Sequence, residues 1–343
     1  MQLFFRRYIL ELRNRFTIAH DSRTHQPTML VALTDGQTVG YGEATENPYY
    51  GVTFEQLEWA LTAIQPFLSQ YQFSSPEQLW ADTEPYLSHL PFAQCALDQA
   101  AWDYYARKQG KPLYQIWGLN PANAPVSNYT IGIDTIETML AKMQAQPWPI
   151  YKIKLGTDND MEIVRTLRRH TAARFRVDAN CGWTAEQTIR YAAELALLGV
   201  EFIEQPLPAN DWEGMKKVYQ HSCLPVIADE SCIIEADVAH CIGYFHGINI
   251  KLTKCGGITP ALRMIEQARQ KQLKVMMGCM TESSVGISAI AHIAPLLDYV
   301  DMDGAMLIKN DPAEGAHATP HGVTYAPRNG TGVIMRDGFP FHN

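Results

Sequence analysis

The chain has 343 residues, 46% apolar and 19% charged, with a formal net charge of −8; this is soluble globular usage with enough chain for a large buried core. The acidic balance and the lack of any basic run exclude a nucleic-acid footprint. No stretch of ~18 uninterrupted apolar residues offers a membrane span, and the opening MQLFFRRYILELRNRF holds no apolar core of signal-peptide length. The seven cysteines, Cys95, Cys181, Cys223, Cys232, Cys241, Cys255 and Cys279, are an odd number without C-x-x-C spacing. They read as reduced thiols, so the expected compartment is the cytoplasm.

In chain order, residues 3–19 and 27–33 read as strands, with Asp35-Gly36 turning the second into a third over 37–42. Thr53 with Gln56 forms a capping box ahead of Phe54, Leu57, Leu61, Ile64 and Leu68 at helical spacing. A second helix is predicted over 91–108, closed by Gly110, with Cys95, Ala96, Ala100 and Tyr104 on its inner face. Together these predict an α+β unit over residues 1–120. The Pro-rich stretch 118–125 is the expected boundary.

Beyond it, short apolar runs alternate with helical patterns: 126–133, 150–155, 175–177, 200–203, 226–228, 247–252, 274–278 and 299–302. Helix starts are marked by Thr184 with Gln187 and by Thr259-Pro260. Eight strands alternating with helices predict a parallel sheet closed into a (β/α) barrel, in which the active site lies at the carboxyl ends of the strands.

Those ends are charged. The second run carries Lys152 and Lys154 on one face, with Tyr151, Ile153 and Leu155 on the other. Two buried ammonium groups persist only where anions face them or where one is kept neutral as a base. Asp178 closes the third run, Glu204 the fourth, Asp229 the fifth, Lys251 the sixth, and Asp301 with Asp303 the eighth. Three carboxylates from neighbouring strands can converge only around a cation, and an all-oxygen ligand set without His or Cys favours Mg²⁺. Lys154 and Lys251, on opposed strands, flank that point as two bases. Their pKa values are expected to be lowered, that of Lys154 by Lys152 and by the cation. A carbon acid α to a carboxylate would lose its proton to one lysine, pass through an enediolate, and regain a proton from the other. The product is the inverted centre, so the chemistry expected is that of a racemase or epimerase.

The ordered set K-x-K, D-A-N, E-Q-P, A-D-E-S and N-I-K-x-x-K-x-G-G resembles the enolase superfamily, in its muconate-lactonizing-enzyme subgroup, over the whole chain. The resemblance implies a modified TIM barrel, (β/α)7β, over residues 121–309, with an α+β cap from residues 1–120 completed by about 310–343. It implies Asp178, Glu204 and Asp229 as Mg²⁺ ligands, Lys154 and Lys251 as the acid/base pair, Lys152 at the substrate carboxylate and Lys254 in support.

Asp301-Met302-Asp303 places two carboxylates where they suit a substrate ammonium and repel a dicarboxylate. This D-x-D looks like that of dipeptide epimerases, where it holds the α-amino group. By the same likeness Cys279 and Thr281 touch the dipeptide backbone and Thr130 lines the first strand end. A cap loop over residues 18–24 is expected to govern specificity, with Arg23 forking onto an acidic substrate side chain. The leading expectation is an L-Ala-D/L-Glu epimerase of murein-peptide metabolism, with a small dipeptide as its partner and a possible homo-oligomeric state. The rivals are a muconate cycloisomerase, an o-succinylbenzoate synthase, an N-acylamino-acid racemase of the same subgroup, and a non-catalytic binding barrel.

Overall fold

A computed structural model describes residues 1–19 and 21–337; His20, on the expected specificity loop, and the last six residues of the tail lie outside the described residues. Three antiparallel strands come first, β1 (Gln2–Ile18), β2 (Asp21–Thr34) and β3 (Val39–Thr45), in the order β1-β2-β3. Their inner face packs on α1 (Phe54–Ser69), α2 (Pro76–Leu87) and α3 (Pro91–Lys108), burying Met29, Val31 and Leu33 against Leu57, Leu61, Ile64 and Ala96. α1 starts as expected, with Thr53 and Gln56 satisfying each other's backbone N–H groups. Gly40 and Gly42 let β3 approach α3 closely, since a Cβ on either would run into the carbonyl oxygens of Ala100 and Ala96.

The short α4 (Leu113–Ile116) leads to eight parallel strands, β4 (Tyr129–Ile131), β5 (Ile150–Lys154), β6 (Arg174–Asp178), β7 (Val200–Glu204), β8 (Val226–Ala228), β9 (Gly247–Ile250), β10 (Lys274–Gly278) and β11 (Tyr299–Asp301). They pair in unbroken sequence order. Between them run α5 (Ile136–Ala145), α6 (Asp160–Arg168), α7 (Ala185–Leu197), α8 (Trp212–His221), α9 (Asp237–His240), α10 (Leu252–Cys255), α11 (Ile258–Gln270) and α12 (Ser284–Ile293). A helix follows each strand but the last, the (β/α)7β arrangement. β4 and β11 meet at a seam where Asn128 N–H donates to the Val300 carbonyl (3.4 Å) and Met302 N–H to Ser127 Oγ (3.0 Å).

Alternation along each strand separates two environments. Outward residues such as Tyr151, Ile153, Val177, Ile203 and Ile248 join the helices in the main core. Inward residues form an apolar floor low in the barrel, where Phe202, Ile227 and Met276 cluster, and charged groups above it.

The C-terminal segment returns to the first sheet. β12 (Ala313–Glu314) pairs with β15 (Ile334–Met335), and β13 (His317–Thr319) with β14 (Gly322–Thr324). Ala313, Val333 and Met335 bury the outer face of the sheet at Leu30 and Ala32.

Three differences from the sequence reading stand out. α2 was not expected. α11 begins at Ile258, capped from outside by Asp98 of α3, whose carboxylate accepts from Thr259 N–H (2.8 Å) and Oγ1–H (2.7 Å), instead of by Thr259 itself. Residues 21–24, expected in a cap loop, instead belong to β2, so that Arg23 pairs with Phe16 and Asp21 with Ile18.

Candidate active site

Strand register sets the first row of the site. Lys154 on β5 is level with Asp178 on β6, and Asp178 with Glu204 on β7. Asp229, one residue past β8, completes the group: carboxylate oxygens of Asp178, Glu204 and Asp229 all lie within 4.8 Å of one another, and all three side chains are fully buried. Asn249 Nδ2 donates to Glu204 Oε1 (2.8 Å). Glu204 Oε2 lies 2.8 Å from Lys152 Nζ, in an ion pair. Three converging buried carboxylates, with no His or Cys among them, fit a hard divalent cation.

The lysines are arranged around these acids. Lys154 Nζ donates to Asp178 Oδ2 (2.7 Å) from one side, and Lys251 Nζ to Asp229 Oδ2 (2.6 Å) from the other. β5 and β9 are four strands apart in a sheet of eight, so the two side chains rise from opposed walls. Lys254 is fully buried and donates to Asp229 Oδ1 (2.6 Å) and to the carbonyls of Asp229 and Cys232. Its bonds lock the acid in place.

Lys152 Nζ sits 3.2 Å from Asp178, 2.8 Å from Glu204 and 2.9 Å from Asp301. It is the shared counter-charge of carboxylates on three strands. Burial pushes the Lys152 and Lys251 pKa values down, but the carboxylates outweigh it and hold both well above the ordinary lysine value. The lowering expected for Lys251 depends on the cation, whose charge opposes the pull of these acids. Burial works against ionisation of the acids too, and the outcome differs among them: Lys154 and Lys152 hold Asp178 low, whereas burial and the neighbouring Asp178 push Glu204 up.

At the far wall, Asp301 Oδ1 accepts from Asn128 Nδ2 (2.7 Å), Asp301 Oδ2 from Lys152 Nζ (2.9 Å), and Asp303 Oδ2 from Thr130 N–H (2.5 Å). Burial and Asp301 raise the Asp303 pKa. Cys279 Sγ lies within 4.8 Å of ligand atoms of both aspartates. Burial pushes its thiol well above the ordinary value, which makes it a packing group instead of a nucleophile.

Lys152, Lys154, Lys251, Thr130, Cys279, Thr281, Asp301, Asp303 and Arg23 all line one cavity of about 390 Å³, a size suited to a small molecule. Asp178, Glu204 and Asp229 lie behind the lysines. The structure therefore brings together every residue that the sequence reading selected. It adds the turn Asn47–Tyr50, which covers the mouth beside the β1–β2 hairpin.

Residues 4–118 match the mandelate racemase / muconate lactonizing enzyme N-terminal domain, and residues 135–337 the enolase C-terminal domain-like family. The chain belongs to the mandelate racemase / muconate lactonizing enzyme family. Among its relatives, the L-Ala-D/L-amino acid epimerase of Flavobacterium johnsoniae is 53% identical over 98% of this chain and 100% of that protein. A substrate-liganded L-Ala-D/L-Glu epimerase from Bacillus subtilis superposes with a TM-score of 0.92 at 27% identity, covering 98% of both chains. A dipeptide epimerase from Methylococcus capsulatus, complexed with Mg and L-Arg-D-Lys, gives a TM-score of 0.89 at 29% identity over 97% of this chain and 99% of that one.

Within this family member, several supporting residues escaped the sequence reading. Gln205 Oε1 accepts from the N–H groups of Asp229 (2.9 Å) and Ser231 (3.1 Å), fixing the fifth strand end from the fourth. Gln205 (φ 33°), Asn180 (φ 42°) and Cys181 (φ 65°) hold left-handed backbone just past the strand ends, the kind of strain that concentrates at functional sites. Gln205 and Asn180 stand inside the quoted E-Q-P and D-A-N motifs. The signal was there, but side-chain-to-backbone bonds carry no spacing rule.

Proposed function

We propose that the chain is a Mg²⁺-dependent epimerase of dipeptides with L-Ala first, L-Ala-D/L-Glu among them, acting by 1,1-proton transfer. The observation that carries this is the pair of cavity-lining lysines on opposed strands, each held by a different member of one three-carboxylate cluster. Asp178, Glu204 and Asp229 would hold the cation. Bound there, it supplies positive charge that acidifies the carbon next to the substrate carboxylate and offsets the acids' pull on the lysines.

Lys154 and Lys251 then remove the proton from one side of the α-carbon and return it on the other. Asp301 and Asp303 grip the ammonium of the first residue, while Lys152 is placed for the substrate carboxylate. Thr130, Cys279 and Thr281 line the dipeptide backbone. In this reading residues 1–120 and the tail form the cap and residues 121–309 the catalytic barrel. The two acids at the far wall favour the epimerase over the lactonizing, dehydrating and N-acyl alternatives, whose substrates bring no free α-ammonium. Seven free cysteines support a reducing, cytoplasmic setting. Among the described residues no helix is long and apolar enough to cross a membrane.

The test is incubation of L-Ala-L-Glu with enzyme and Mg²⁺ in D₂O. Deuterium at the Glu Cα with appearance of the D-epimer is expected. An unchanged proton signal across a dipeptide library would refute the proposal.

A further inference from the structure

Stereochemistry fixes where the second side chain of a bound dipeptide points. On the epimerase reading its α-carbon would lie between Lys154 and Lys251, its carboxylate would face the acid cluster and its amide nitrogen would run toward Asp301 and Asp303. The fourth substituent has only the barrel mouth left, and there it meets the β1–β2 hairpin. Four hairpin residues share the face that lines the cavity: Phe16 paired with Arg23, and Ile18 paired with Asp21. Two are apolar. The other two are opposite charges, Arg23 Nη1 and Asp21 Oδ2, 3.6 Å apart.

This ion pair is loose. The separation is too long for a hydrogen bond, and among the described residues Arg23 Nε is buried with no hydrogen-bond partner. The Arg23 side chain is 21% exposed, while that of Asp21 is 43% exposed. A guanidinium in this position attracts a substrate carboxylate, but Asp21 already offers one and repels another.

We propose that Asp21 is a specificity-determining residue: by holding Arg23 in a charge-neutral pair, it opens the second position of the dipeptide to uncharged side chains instead of reserving it for acidic ones. The inference rests on the epimerase reading and deepens it. Phe16 and Ile18 supply the apolar contact for such side chains, and the pair supplies a donor and an acceptor.

The test compares kcat/KM for L-Ala-L-Glu and its neutral isostere L-Ala-L-Gln in the parent, D21N and R23M. In D21N the Glu-to-Gln ratio is expected to rise roughly five- to tenfold, chiefly through KM, because the freed guanidinium pairs with the substrate. In R23M the ratio is expected to fall, and L-Ala-L-Lys to gain on L-Ala-L-Gln, because Asp21 is left unpaired. A D21N ratio within twofold of the parent, or an equal loss of kcat on both substrates, overturns the role of Asp21. A parent enzyme that exchanges deuterium into no dipeptide instead overturns the epimerase reading, and does so before any variant is compared.

Discussion

Replacing each proposed base singly with glutamine, Lys154→Gln and Lys251→Gln, separates the two halves of the reaction. Neither change empties the acid cluster of positive charge: Asp178 keeps Lys152 at 3.2 Å, and Asp229 keeps Lys254 at 2.6 Å. The loss is therefore confined to proton transfer. A positioned general base is worth roughly 10²- to 10⁴-fold, or about 3–5 kcal/mol of barrier, and epimerisation in either direction should fall by that factor. Exchange should behave differently, because each variant keeps one base on one side of the α-carbon. ¹H NMR in D₂O with L-Ala-L-Glu and L-Ala-D-Glu, run separately, should show one variant exchanging only the L-epimer and the other only the D-epimer, each with retention. Loss of exchange on the same epimer in both variants, or near-parental epimerisation in either, would refute a two-sided mechanism.

Two further outcomes follow from the burial of the acids. Glu204→Gln removes a carboxylate that burial and Asp178 push toward its protonated form, so melting without added metal should stay level or rise; the Mg²⁺-induced increase in Tm should shrink, with affinity by calorimetry falling at least about tenfold. An E204Q enzyme that binds Mg²⁺ as tightly as the parent would remove Glu204 from the ligand set. Asp98, which caps α11, has its pKa raised from 3.8 to about 7 by burial. The folded state thus keeps a proton that the unfolded chain releases, and stability contributed by this group is present below pH 4 and lost as pH rises to about 7, by up to roughly 4 kcal/mol. Denaturation curves of Asp98→Asn should gain on the parent as pH climbs through that window; curves that stay parallel would show that Asp98 does not carry the effect.

The barrel strands were legible because burial on the outward face and charge on the inward face produce opposite signals at a period of two: Tyr151 and Ile153 join the core, while Lys152 and Lys154 face the acids. The acid cluster was legible because each member closes an apolar run. The start of β2 was not. Its residues 21–26, DSRTHQ, show no apolar alternation, since Asp21 and Arg23 line the cavity as a charged pair, and only the backbone ladder to β1 makes them a strand. α2 was masked by Pro85 within it. The pairing of each lysine was not legible, because sequence order shows which acids share a site but not how near each ammonium they lie. Lys152 alone touches three. The supporting roles of Gln205 and Asn249 come from contacts between strands.

The far-wall aspartates have a second job. Asn128 and Thr130, which bond to Asp301 and Asp303, belong to the first barrel strand or its approach, and the aspartates to the last strand and its exit. The carboxylates proposed to select an amino group are thus also stitches holding the first and last staves of the cylinder together. Evolving this scaffold toward substrates without a free amine would need more than trading those acids for neutral residues, because every such trade also cuts a stitch that must be resewn elsewhere.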